Sequence, residues 1–65
     1  MFTGKVKFFN KDKKFGFIID DKTSAEYYVH VKDVLSEIKE GDSVQYELRE
    51  AKRGMECVSV KVLNS

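Results

Sequence analysis

The chain has 65 residues, enough for one small domain whose folding buries about 60% of the surface of the unfolded chain. Its 12 basic and 11 acidic residues leave a formal net charge of +1, which excludes a uniformly basic nucleic-acid binder. A core this small leaves no room for a deep enzyme pocket, so a shallow binding face is expected. Residues 1–22 carry six lysines and three aspartates, whereas residues 23–50 carry three basic and seven acidic residues. The first segment therefore predicts a local positive face.

Cysteine and histidine usage limits the possible chemistry. Cys57 is the only cysteine, so no intramolecular disulfide can form, and its valine-rich surroundings predict a small buried apolar residue. One cysteine and one histidine cannot build a structural zinc site, and the sequence has no Gly-rich phosphate loop. We therefore expect no metal, no cofactor and no catalytic residues. No apolar run has the length of a signal peptide or a membrane span, and we expect a cytoplasmic protein without membrane contact.

Five segments have the alternation or the composition of short strands. They cover residues 4–10, 15–20, 25–31, 43–49 and 55–63. Polar or glycine-containing turns separate them at 10–13, 21–24, 40–42 and 51–54. Residues 32–38 lack clear alternation, and we expect there a connection with a turn of helix that crosses one end of a barrel. In the last strand, Val58, Val60 and Val62 are in phase and predict a common face.

Five short antiparallel strands cannot stand as a flat sheet of this size, since both edges and one face would remain unprotected. Rolling the sheet into a barrel removes most of the edges. We therefore predict an all-β fold, a five-stranded antiparallel Greek-key barrel, in a single domain over residues 1–65. Strands two and three of such a barrel usually form the nucleic-acid-binding face. A monomer is expected, and the connection at 32–42 could act as a hinge for strand exchange into a dimer.

Aromatic side chains occupy every second position of the second and third predicted strands. Phe15 and Phe17 share one face of their strand, as do Tyr28 and His30. The positions between them are small or aliphatic and are expected to face the core: Gly16, Ile18, Val29 and Val31. The rings are therefore left facing water beside lysines, where unpaired bases can stack and phosphates can find cations.

These segments resemble the cold-shock domain family of bacteria. The family's first ribonucleoprotein motif, Lys-Gly-(Phe/Tyr)-Gly-Phe-Ile, is resembled by Lys13-Lys14-Phe15-Gly16-Phe17-Ile18. Its second motif, Val-Phe-Val-His-Phe, is resembled by Tyr28-Val29-His30. Its opening segment, Lys-Trp-Phe-Asn, is resembled by Lys5-Val6-Lys7-Phe8-Phe9-Asn10. The resemblance runs over the whole chain and is closest in residues 1–31.

The resemblance implies an oligonucleotide/oligosaccharide-binding barrel (OB-fold) that binds single-stranded RNA and DNA with little sequence preference. Such proteins act as RNA chaperones that help translation or transcription in the cold, and they need no small-molecule cofactor. Carried over by position, the nucleic-acid contacts are Lys7, Phe8, Phe9, Lys13, Phe15, Phe17, Tyr28 and His30. Lys14 adds a further cation beside them. For Phe9, the sequence leaves open whether the ring faces the nucleic acid or the edge of the core.

Several positions depart from the family pattern. Phe8 stands where many members carry tryptophan, and Val31 replaces the last phenylalanine of the second motif, so stacking area is lost at both. Lys14 replaces a glycine, which strains the turn if its backbone needs a positive φ. Tyr27 takes a position usually held by an aliphatic core residue, so its hydroxyl must reach a partner or solvent. We therefore expect weaker binding and a shorter footprint than in a typical member.

Exposed aromatic residues on a small barrel are also compatible with a protein-interaction module, in which the rings would form a hot-spot patch. Lysines on the same strands favour nucleic acid, because the cores of protein interfaces are depleted in lysine. Catalysis at His30 would need a nucleophile and an orienting carboxylate, and the nearby Ser24 and Asp33 form no such arrangement. Saturable binding of short oligonucleotides distinguishes the nucleic-acid binder from the protein-interaction module.

Overall fold

Five strands close into a barrel in the computed structural model, which describes residues 1–52 and 54–63. The strands are β1 (Phe2–Asn10), β2 (Phe15–Asp20), β3 (Glu26–His30), β4 (Ser43–Ala51) and β5 (Gly54–Val62). Their order around the barrel is β1-β2-β3-β5-β4. Four pairings are antiparallel, and a short parallel pairing of β3 with β5 completes the barrel. The predicted all-β, five-stranded barrel is confirmed, with one parallel pair added to the antiparallel arrangement.

The strand boundaries differ from the predicted ones mainly at β1 and at the last hairpin. β1 begins two residues early because Phe2 and Thr3 pair with Tyr46 and Gln45 of β4. β4 and β5 both extend into the turn predicted at 51–54, of which Arg53 lies outside the described residues. In the described part of the chain, no helix is long and apolar enough to cross a membrane.

The chain leaves the sheet after His30, one residue earlier than predicted. A single 3-10 turn, Val31–Asp33, follows at once and is closed by a hydrogen bond from the Val34 amide to the Val31 carbonyl (3.2 Å). This turn lies in the connection where a helical turn was predicted. The predicted inward orientation of Val31 is wrong: its side chain is 36% exposed, because the turn removes it from the alternation of β3.

The barrel interior is filled by side chains from β1 to β5 and from the connection between β3 and β4. The buried residues are Val6, Ile18, Val29, Ile38, Val44, Tyr46, Cys57 and Val60. As predicted, Gly16, Ile18 and Val29 are buried, and Cys57 is a small core residue with no exposed surface. Burial raises the pKa of the Cys57 thiol to about 12, so this side chain stays protonated and unreactive at physiological pH.

A bulge in β5 overturns the predicted common face of Val58, Val60 and Val62. Ser59 has a φ of 53°, and the pairing with β4 skips one residue of β5 at this point. The phase of the strand therefore changes at Ser59. Cys57 and Val60 are both fully buried as a result, whereas Val58 is only partly buried.

A buried carboxylate at the end of β2 organises the turn into β3. Asp20 is 7% exposed and accepts hydrogen bonds from the Tyr46 hydroxyl (2.6 Å) and from the amides of Lys22 (2.9 Å) and Thr23 (3.0 Å). The Tyr46 hydrogen bond, followed by the Thr23 amide, holds the pKa of Asp20 below its usual value. Burial and the same carboxylate raise the pKa of Tyr46. The pair therefore joins the β2–β3 turn to β4.

Replacing Tyr46 with phenylalanine is expected to lower the free energy of unfolding at neutral pH and to change it less in acid. A carboxyl group with a lowered pKa in the folded state contributes stability above its unfolded pKa, and loses it as pH falls through the folded value. The usual value for Asp20 is 3.8. Denaturant unfolding of both proteins above and below that pH measures the difference.

Tyr27→Phe is the matched control for this substitution. Tyr27 packs against the core and its ring lies 6.2 Å from that of Tyr46, but in the described residues its hydroxyl makes no hydrogen bond to Asp20. Its removal should have an effect that does not vary with pH. An equal loss of stability at neutral and acid pH for Tyr46→Phe would contradict the role assigned to the Asp20 contact.

Candidate nucleic-acid interface

The register of β2 with β3 brings the two predicted aromatic rows onto one outer face. Phe15 pairs with His30 and Phe17 pairs with Tyr28. Gly16 and Val29, which pair with each other between these positions, are buried. The rings of the outer face are neither in the core nor fully exposed. The predicted alternation of outward rings and inward small residues is therefore correct for these two strands.

Four rings on this face form one contiguous group, which we call the aromatic cluster: Phe8, Phe15, Phe17 and Tyr28. Phe17 lies at its centre, with its ring centroid 5.4 Å from Phe8, 6.2 Å from Phe15 and 6.1 Å from Tyr28. Phe15 and Tyr28 are nearly parallel, with 17° between their planes and 6.0 Å between their centroids. The rings support one another sideways and keep partly exposed surfaces. Such a surface can accept flat, unpaired bases.

A bulge in β1 decides which of the two adjacent phenylalanines joins the cluster. Val6 pairs with Ile18 and Phe8 pairs with Phe17, so Lys7 is the extra residue of β1. The bulge turns Phe8 outward. Phe9 pairs with Gly16 and packs against the core. The question left open for Phe9 is thus answered in favour of the core edge, and its assignment as a nucleic-acid contact is not supported by its position.

The three lysines assigned to phosphate contacts differ in their surroundings. Lys13 and Lys14 are exposed in the turn between β1 and β2. The Lys7 ammonium instead donates a hydrogen bond to Glu26 at 3.0 Å, with half of each side chain exposed. Lys7 is therefore partly neutralised by a carboxylate on the same outer face. Glu26 was not singled out from the sequence, although its position two residues before Tyr28 places it on that face.

Lys14 adopts the conformation that a glycine would take more easily. Its φ is 66°. Its amide donates to the Asn10 carbonyl (2.8 Å), and its carbonyl accepts from the Val31 amide (3.0 Å). The turn also uses the Asn10 side chain, which accepts from the amides of Asp12 and Lys13 (3.0 and 3.1 Å). The expected strain at Lys14 is therefore present.

Lys14→Gly is expected to raise the free energy of unfolding by about 1 kcal/mol, because glycine has no Cβ to strain in the left-handed region. Lys13→Gly is the control, since Lys13 is not among the positive-φ residues and should gain nothing. Both variants lose one cation, so a comparison of their denaturant midpoints removes the effect of charge. Equal midpoints for the two variants would show that the strain contributes no stability difference.

His30 lies at the end of β3 beside Phe15. Its Nδ1 accepts a hydrogen bond from the Lys32 amide (3.1 Å), so the neutral ring carries its proton on Nε2. The ring is thereby held in one orientation with Nε2–H as a remaining donor. Among residues 1–52 and 54–63, no group of three or more metal-ligating side chains occurs. The geometry of His30 suits a contact with a base or a phosphate.

A cleft adjoins the aromatic cluster where β3 meets the β4–β5 hairpin. It has a volume of about 630 Å³. Phe17 and Tyr28 belong both to the cluster and to this cleft, and other lining residues include Glu26, Lys52, Met55 and Glu56. The hairpin residues were missed in the sequence, because only the parallel pairing of β3 with β5 brings them beside the rings.

Comparisons with known proteins agree with this arrangement. A family model described as the 'Cold-shock' DNA-binding domain matches residues 2–63. Cold shock-like protein CspA of Shewanella violacea is 37% identical over 65 residues, which cover 94% of this chain and 93% of the relative. The major cold shock protein of Micrococcus luteus is 33% identical over 67 residues, covering 97% and 100%.

A solved structure described as drosophila Unr CSD456 has the same fold. It matches with a TM-score of 0.81 at 21% identity over 97% of this chain, which spans 26% of that longer chain. At this identity the similarity concerns the fold alone. The family match over residues 2–63 and the full-length bacterial relatives go further. The protein belongs to the cold-shock domain family of nucleic-acid-binding domains.

Proposed function

We propose that the protein binds single-stranded RNA and DNA by stacking unpaired bases on the aromatic cluster, with little dependence on sequence. The observation that carries this proposal is the group of four partly exposed rings, 5.4–6.2 Å apart, on the outer face of β1–β3. Every base has a π-face, so stacking tolerates any sequence and contributes roughly 1–3 kcal/mol per base. Stacking therefore supplies most of the affinity, and dissociation constants in roughly the micromolar range are expected.

Lysines beside the cluster supply the phosphate contacts. Lys13 and Lys14 are exposed, and Lys7 can contribute once a phosphate competes with Glu26 for its ammonium. Three neutralised phosphates correspond to a slope of about −2 in a plot of log K against log salt for a single strand. A shallow slope distinguishes this stacking mode from purely electrostatic binding.

In the cell, the protein acts as an RNA chaperone in this proposal. Duplex RNA is a poor ligand because its base faces are already stacked, so binding shifts the equilibrium toward unpaired strand by mass action, without ATP. The names of the bacterial relatives support a role in the cold-shock response or in the regulation of transcription and translation. The proposal places a monomer, with no catalytic activity, in the cytoplasm, where the single thiol of Cys57 stays reduced.

Titration with short oligo-U and oligo-dT at two salt concentrations tests the proposal. Fluorescence anisotropy should show saturable binding of both single strands, the shallow salt slope given above, and little binding of a duplex of the same length. Saturation by the duplex at the same concentrations would contradict base stacking. No saturation by either single strand at high micromolar protein would favour a protein-interaction surface on the aromatic cluster.

A further inference from the structure

We propose that the cleft beside the aromatic cluster is a guanine-preferring subsite for one base of the bound strand, an inference that rests on the proposed function. The cleft is continuous with the cluster, since Phe17 and Tyr28 line both. A strand stacked on those rings therefore passes the mouth of the cleft. Its volume of about 630 Å³ is sufficient for a single nucleobase with space to spare.

The walls of the cleft suit the flat faces of a base. Tyr28 and Phe17 provide aromatic surface on one side. Met55, which is 43% exposed, provides a thioether on the other side. A thioether is polarisable and adapts its shape to an aromatic ring. Bases of any sequence can use these walls, so they provide affinity without selection.

The charges of the cleft decide which part of a nucleotide enters. Glu26 and Glu56 place two carboxylates in its lining, against one ammonium from Lys52. Two carboxylates repel a phosphate and attract hydrogen-bond donors. The sugar–phosphate backbone is therefore kept outside, on the side of Lys13 and Lys14, and the edge of a base points inward.

Both carboxylates retain an acceptor after their contacts within the protein are made. In the described residues, Arg49 directs its Nε and Nη2 to the same oxygen of Glu56, Oε1. Lys7 donates to Oε1 of Glu26. The Oε2 atom of each carboxylate is thus left to accept from a ligand. These two ion pairs also limit the side-chain freedom of the carboxylates, so less entropy is lost on binding.

Guanine is the base whose edge best matches two acceptors and one donor. Its N1–H and N2–H₂ groups donate toward carboxylates, and its O6 accepts from an ammonium such as that of Lys52. Cytosine and adenine offer one amino group each. Uracil and thymine offer a single N–H between two carbonyl oxygens, which the carboxylates of Glu26 and Glu56 repel. The expected order is therefore guanine first, cytosine and adenine next, and uracil or thymine last.

The test compares a short oligouridylate with variants that carry one guanosine, placed at each position in turn. In the wild-type protein, guanosine at one position should tighten binding about fivefold or more, the lower end for a matched pair of hydrogen bonds to a base. Glu56→Gln should remove most of this preference while leaving the affinity for oligouridylate within about twofold. Its side-chain oxygen can still accept from Arg49, so the protein should fold.

Two further variants complete the experiment. Glu26→Gln should also reduce the preference for guanosine. Glu50→Gln is the matched control: Glu50 is an exposed residue of β4 in the same hairpin and does not line the cleft, so the same change of charge should leave the preference intact.

The outcomes separate this inference from the proposed function. Tight binding of all the oligonucleotides without a preferred guanosine would overturn the subsite and leave the proposed function standing. A preference that survives both Glu56→Gln and Glu26→Gln, or is lost equally in Glu50→Gln, would also overturn it. Failure of every oligonucleotide to bind would overturn the subsite and the proposed function together.

Discussion

Phe17→Ala is expected to weaken the binding of single-stranded oligonucleotides about 5- to 150-fold, the loss that corresponds to roughly 1–3 kcal/mol for one stacked base. Phe17 is the central ring of the aromatic cluster and lies within 6.2 Å of Phe8, Phe15 and Tyr28. Its removal deletes one stacking surface and the lateral support of three others. The effect should therefore lie toward the upper end of that range, and anisotropy titration measures it.

Ile19→Ala provides the control on the same strand. Ile19 is the next outward position of β2 after Phe17 and is partly buried, like the rings, but it carries no π-surface. Its truncation should change the dissociation constant by less than about twofold, because stacking requires a ring. Unfolding curves for both variants separate loss of binding from loss of structure. A folded Phe17→Ala protein with the affinity of the wild type would refute the binding surface assigned to the cluster.

Gly16→Ala is expected to cost about 3 kcal/mol of unfolding free energy, the upper end for overpacking a core position. A Cβ at Gly16 would lie 2.4 Å from the Phe8 carbonyl oxygen and 2.9 Å from the Phe9 Cα. Both are backbone atoms of the neighbouring strand, so they cannot move aside as a flexible side chain could. The melting temperature should fall by about 10–20 °C in a domain of this size, which thermal unfolding by circular dichroism measures.

Gly41→Ala distinguishes the close approach of strands from a general intolerance of alanine at glycine. Gly41 has a φ of 89° and no atom within 4 Å of an added Cβ. The substitution should therefore cost only the backbone strain, about 1–2 kcal/mol. A Gly16→Ala protein as stable as Gly41→Ala, or more so, would show that β1 and β2 can separate at little cost.

β2 illustrates how much of the fold can be predicted locally. Its bounds, Phe15–Asp20, agree with the predicted strand, and its outward rings and inward Gly16 and Ile18 follow from the two-residue period of a strand. The turns before and after it are also local. The Asn10 and Asp20 side chains accept hydrogen bonds from amides two and three residues further on, a habit of these residues that sequence reasoning can use.

The adjacent phenylalanines of β1 could not be assigned in this way. A regular strand places Phe8 and Phe9 on opposite faces but does not say which one faces the core once a bulge intervenes. The extra residue, Lys7, is defined only by the pairing of β1 with β2. The same applies to β5, where the bulge at Ser59 exchanges the predicted phase for one that buries Cys57 and Val60.

Charged contacts between distant residues were equally beyond local reasoning. Glu26 neutralises Lys7 from 19 positions away, and Asp20 meets Tyr46 over 26 positions. The cleft beside Tyr28 depends on the parallel pairing of β3 with β5. Each of these features follows from how the barrel closes, and neither residue of a pair signals its partner in the sequence.

The sequence by itself determined a small all-β domain of the cold-shock family with outward rings on its second and third strands, because side-chain alternation, turn chemistry and the motif residues are local properties. Only the tertiary structure decided that Phe8 and not Phe9 joins those rings, that Lys7 is paired with Glu26, and that a carboxylate-lined cleft continues the surface. Those outcomes depend on strand register and barrel closure, where a shift of one residue turns every following side chain to the other face.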